Sequence, residues 1–170
     1  MIIYDAVRRL MLAFVFVVGA TTVEARLADD PPGGPRITLG IAVGASEEVR
    51  VPVYLTNETG PAIGGLQMAI VAQDISHAGF VRMEDRASIP GFTIQVNEQS
   101  PGRVNFVVFG NSNAAIPPGA DPVQLAVLIY SIDSNTNLAS SNTLDIEGLL
   151  VGDVDGSVLA VTGNPGLIHV

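Results

Sequence analysis

Asp153 and Asp155, flanking Val154 and followed by Gly156, form a pair of carboxylates whose spacing resembles part of a calcium loop. A calcium loop of the EF-hand kind needs oxygen ligands at spaced positions before an obligatory glycine and a bidentate acid at its end. Setting Gly156 at that glycine puts Val151 at the first ligand position and Thr162 at the last, so the register fails. Asp and Gly are also the residues that bend a hairpin, and a surface turn is the expectation. The two histidines, His77 and His169, lie far apart in the sequence, and no Gly-x-Ser-x-Gly elbow accompanies either. Neither a nucleophile–base pair nor a zinc site follows from them. The acids fall mostly in turns, so no carboxylate pair across a cleft suggests glycosidase chemistry. All eight basic residues are Arg and Cys is absent, which excludes a P-loop or Schiff-base lysine, thiol catalysis and disulfides. A formal charge of −9 repels phosphate backbones, so no nucleic-acid partner is expected. The reading is of a protein that is not an enzyme, with no catalytic residue, no metal and no cofactor.

The elements that would position a binding site are strands. Ile37, Leu39, Ile41 and Val43 alternate with small or polar residues, as do Val49, Val51, Val53 and Leu55. The same period of two continues through Leu66–Ile70, Phe92–Val96, Val104–Val108 and Val123–Ile129. Further strands are expected near 79–84, 143–151, 157–161 and 166–170. Between them stand turn signals such as Ser100-Pro101-Gly102, Pro117-Pro118-Gly119 and Gly163-Asn164-Pro165-Gly166. No stretch past residue 26 carries a helical stripe for three turns. About nine to ten strands, each with one apolar face, must pair two sheets face to face, which predicts an all-β sandwich over 36–170.

Ahead of it, Arg8-Arg9, an apolar run from Leu10 to Ala20, and the small-residue exit Val23-Glu24-Ala25 describe a signal peptide over residues 1–25. The run is about half the length that spans a bilayer, so a secreted, extracellular protein with no membrane contact after cleavage is expected. Residues 26–35, rich in Pro and Gly, read as a leader.

The order of motifs resembles a cohesin domain. Glu48-Val49-Arg50-Val51-Pro52-Val53-Tyr54-Leu55 is similar to that family's second strand, and Ile63-Gly64-Gly65-Leu66-Gln67-Met68-Ala69-Ile70 to its third. Asp74 follows where the family has an aspartate. Pro101-Gly102-Arg103-Val104-Asn105-Phe106, the run Gly119–Ile132, and the ending Asp153-Val154-Asp155-Gly156 with Gly166–Val170 complete the likeness. Gln73 and Ile75 depart from the residues around that aspartate, and the polar pair that dockerin-binding members use maps to Gly65 and Gln67. The resemblance implies a two-sheet jelly roll and a non-catalytic module that binds a protein partner, dockerin-like or other. Such a module would serve an extracellular polysaccharide-degrading or surface assembly.

One broad sheet face contacts the partner in that family. On this chain the outward parity of the corresponding strands selects Gln67 and Ala69, Gln95 and Asn97, Asn105, Val107 and Phe109, and Gln124, Leu128 and Tyr130. That face would be free of charge, with Val107, Phe109, Leu128 and Tyr130 as an apolar centre inside an amide rim, the anatomy of protein interfaces. Two alternatives stand beside it. A polysaccharide-binding module would need coplanar aromatic rings, and the chain beyond residue 26 offers Tyr54, Phe80, Phe92, Phe106, Phe109 and Tyr130, with no Trp. A self-associating surface domain would pair the apolar face with its own copy.

Overall fold

The computed structural model describes residues 33–43, 47–74, 78–84, 89–132 and 141–169. The expected signal peptide, most of the leader, and His77 lie outside them. Two antiparallel-dominated sheets form, and the described residues include no helix long and apolar enough to cross a membrane. The first sheet has the order β11-β1-β3-β8-β5, formed by β11 (Thr162–Asn164), β1 (Arg36–Leu39), β3 (Glu48–Asn57), β8 (Gly119–Ile132) and β5 (Ala78–Glu84). The second has the order β2-β12-β9-β4-β7-β6, formed by β2 (Ile41–Val43), β12 (Gly166–His169), β9 (Ser141–Asp153), β4 (Ile63–Ala72), β7 (Arg103–Gly110) and β6 (Phe92–Ser100). A two-residue β10 (Val158–Leu159) lies along β9.

Alternating apolar residues of both sheets meet in one core. Ile37, Leu39, Val49, Val51, Val53 and Leu55 come from β1 and β3, facing Leu66, Met68, Ile70, Val104, Phe106, Val108, Leu144, Val151 and Ile168.

The opening segment behaves differently from its even alternation. At Gly40 the chain leaves the first sheet and enters the second, so Ile37 and Leu39 are buried while Ile41 and Val43 are exposed. Pro52 explains the crossing. Gly40 donates its N–H to the Pro52 carbonyl at 2.8 Å, but Pro52 has no N–H to return. The freed Gly40 carbonyl instead accepts from Leu167 N in the other sheet. A Cβ on Gly40 would stand 2.5 Å from the Pro52 ring, so glycine is required by the close approach.

Strand β8 supplies the second correction. Its register with β3 runs Val49↔Tyr130, Val51↔Leu128 and Val53↔Ala126, then shifts so that Tyr54 opposes Gln124. Leu125 is the extra residue of a bulge, and a bulge inverts the parity of everything beyond it. Gln124 therefore faces outward, whereas Ala126, Leu128 and Tyr130 share the inward side with the β3 valines and are fully buried. The opposite side of β8 is covered as well. Ile129, paired with Arg50 on β3 and Arg82 on β5, is 1% exposed. Over it run the ion pairs Arg50–Glu84, Arg82–Glu48 and Arg82–Glu84, at 2.6–2.7 Å. The alkyl stems of two arginines cap an isoleucine while their heads stay in water.

A candidate protein-docking face

Strands β9, β4, β7 and β6 lie side by side, and their registers arrange the outward side chains in four rows. The first row reads Asp145, Val71, Arg103, Ser100; the second, Glu147, Ala69, Asn105, Asn97; the third, Leu150, Gln67, Val107, Gln95. The fourth reads Gly152, Gly65, Phe109, Thr93, with Val158 of β10 beside Gly152. Neighbouring strands stand about 4.8 Å apart and successive rows about 6.8 Å.

Seven of the ten residues expected on the binding face are here: Gln67, Ala69, Gln95, Asn97, Asn105, Val107 and Phe109. The other three are not. Gln124 points outward from the opposite sheet, and Leu128 and Tyr130 are buried in the core between the sheets. Ala69 faces outward but is 6% exposed.

The face is also not free of charge. Arg103 Nη1 reaches Glu147 Oε2 at 2.6 Å, crossing the strand that holds Ala69. Beside that pair, Gln73 Nε2 donates to Asp145 Oδ2. The charges sit at one end, where Arg103 and Glu147 pair and the Asp145 carboxylate accepts from a neutral amide. The other end is apolar: Leu150, Val158, Val107 and Phe109 surround a floor of two adjacent glycines, Gly65 and Gly152. A side chain added to Gly152 would meet nothing closer than the Ser157 carbonyl at 3.9 Å, so the floor is open there, whereas at Gly65 it would stand 3.0 Å from the Val108 carbonyl.

Leu150, Glu147 and Val158 went unassigned in the sequence because β9 is irregular. Its register with β4 shifts between Gln67 and Ala69, where Gly148 takes a φ of +57°. Simple alternation through 143–151 crosses that bulge and loses the parity. Gly148 itself, in the interior of the strand, is the signal that could have marked it.

The remaining candidates resolve locally. Asp153 accepts at Oδ1 from the N–H groups of Asp155 and Ser157, at 3.0 and 2.7 Å, closing the β9–β10 turn. Among the described residues no three His, Asp or Glu side chains gather as a metal site. His169 is exposed on β12. Asn57, which precedes Glu58-Thr59, is buried, with its amide bonded to Pro61 O and Gly60 N. Of the aromatic side chains, Phe106 and Tyr130 are buried, Phe92 packs on the core and Phe80 meets Tyr130 edge-on at 5.9 Å. Phe109 is the single aromatic in the four rows.

No protein family and no curated protein matches the sequence. Solved structures do match. The sixth cohesin of Acetivibrio cellulolyticus scaffoldin B, solved with a dockerin, has a TM-score of 0.69 at 20% identity, covering 81% of this chain and 99% of that one. CaCohA2 from Clostridium acetobutylicum gives 0.64 at 22% identity, covering 81% and 90%. A non-cellulosomal cohesin from the archaeon Archaeoglobus fulgidus gives 0.61 at 15%, covering 79% and 89%. The chain has the cohesin fold.

Proposed function

We propose that this is a secreted, non-catalytic protein-binding module of cohesin type. It docks a dockerin-like partner on the outer face of β9-β4-β7-β6, within an extracellular polysaccharide-degrading or surface assembly. The observation that carries the reading is the composition of that face. Leu150, Val158, Val107 and Phe109 form an apolar end over a glycine floor, Gln67, Gln95 and Asn105 border it, and at the far end Arg103 and Glu147 are already paired. Such a surface needs little desolvation of unmatched charge when a partner covers it. Two neighbours bear on it: the Acetivibrio cohesin was solved with a dockerin, and the archaeal one is described as non-cellulosomal. A lone aromatic offers no flat strip for a polysaccharide.

The test is direct binding of the protein to a panel of purified dockerin modules by calorimetry. Leu150→Asp and Val107→Asp, both on the solvent side of their strands, are expected to weaken a hit by roughly thirtyfold each if they sit at the centre of the interface. Affinity unchanged in both variants would move the docking site elsewhere. Retention on insoluble cellulose with no dockerin bound would replace this reading with sugar binding.

A further inference from the structure

A sheet edge carries an unpaired row of backbone groups, and folded proteins guard such edges with short strands, bulges or charges. Three edges of this sandwich are guarded in these ways. β2 and β11 have three residues each, and β5 is bulged between Phe80 and Arg82 and carries Arg82 and Glu84. The fourth, β6, is not. It runs nine residues, Phe92-Thr93-Ile94-Gln95-Val96-Asn97-Glu98-Gln99-Ser100, with no proline or lysine and no register shift before Glu98.

The hydrogen-bond phase of β6 is fixed at its start. Asn111 donates to the Gly91 carbonyl at 2.9 Å, so Gly91 begins the bonded positions and Thr93, Gln95 and Asn97 turn their backbone groups toward β7. Phe92, Ile94, Val96 and Glu98 turn theirs away. Phe92 N–H is taken by Ile89 O at 3.1 Å. The groups of Ile94 and Val96 meet no strand among the described residues. Beside this free edge the core is incompletely covered, because Ile94 and Val96 are half-buried.

We propose that β6 is a self-association edge, pairing antiparallel with β6 of a second copy about a two-fold axis at Gln95. This goes beyond partner docking and does not depend on it. In that register Ile94 of one copy faces Val96 of the other, and both have their N–H and C=O groups turned outward, as the ladder requires. Their side chains continue the core across the junction. Thr93 lies opposite Asn97, and Gln95 opposite its own copy. No like charges face one another. Glu98, the one charge on the strand, lies opposite Phe92, and its carboxylate already accepts Gly102 N–H at 3.1 Å in its own turn. The strand is therefore complementary to itself although the whole chain carries −9.

Sedimentation of the protein from micromolar to millimolar concentration tests this. A monomer–dimer equilibrium is expected. Gln95→Lys and Gln95→Glu, both at an exposed side chain, each place like charges on the axis and should weaken the dimer roughly tenfold or more. Mixing the two variants should restore it, which also shows that both are folded. Leu150→Asp should leave the dimer unchanged, separating this edge from the docking face. A monomer at millimolar concentration overturns the proposal. So does dimerisation undiminished by either Gln95 variant, or failure of the mixture to recover.

Discussion

Tyr130 shows how much one buried polar atom reveals. Its hydroxyl has no hydrogen-bond partner among the described residues, and the side chain is 1% exposed. An unmade bond at a buried donor is a cost, so Tyr130→Phe is expected to leave stability unchanged or raise it by about 1 kcal/mol in urea denaturation. Burial pushes the phenol above its ordinary range, with the Glu98 carboxylate adding to the effect. The unfolded chain ionises near the usual phenol value, about 10, while the folded chain holds the proton. Stability should therefore fall as pH rises past that value, and the phenylalanine variant should lose that part of the decline. Alternation alone placed this tyrosine outside because the Leu125 bulge, invisible in the pattern Val-Gln-Leu-Ala-Val-Leu-Ile-Tyr, turns the strand over. Val107 and Phe109, on a strand without such a shift, were legible as outward from the same kind of pattern.

Between strands, the Arg50–Glu84–Arg82–Glu48 network holds β3 and β5 together across β8. Hydrogen bonds from Arg82 lower the pKa of both Glu48 and Glu84, joined at Glu84 by Arg50. A carboxylate with a lowered folded-state pKa stabilises the fold above its unfolded value and loses that contribution as pH falls through the folded one. Arg82→Met, which keeps an apolar cover over Ile129, is expected to return both carboxyls toward their ordinary range. NMR titration of the two side chains, with urea midpoints through the acid limb, checks this. The midpoint should depend less on pH in the variant. The network was not legible in the sequence, because Glu48 and Arg82 are 34 residues apart and meet across a strand that lies between theirs. The strands themselves were legible, since a period of two is local. The sheet each joined was not, since pairing is decided by distant segments.

For the whole molecule, the likeness of short motifs pointed to the right fold at 14–23% identity to solved structures, where no family description reached it. What the motifs could not supply was which strand faces which partner, and that separated β8 from the face it was expected to complete. Both sheets are joined by parallel pairs between the first and last described strands: β1 with β11 in one, β2 with β12 in the other. Ile168, in the last of these, is fully buried. Deleting residues 162–169 should remove a strand from each sheet at once. The variant is expected to lose cooperative unfolding in calorimetry, whereas retention of a sharp transition would show the pairs to be dispensable. Pairings between distant segments form slowly, after the cost of closing a long loop. A nascent chain leaving the ribosome cannot latch either layer until its final strands emerge. Closure of the domain thus waits on its last strands, leaving an interval in which the polypeptide is still open.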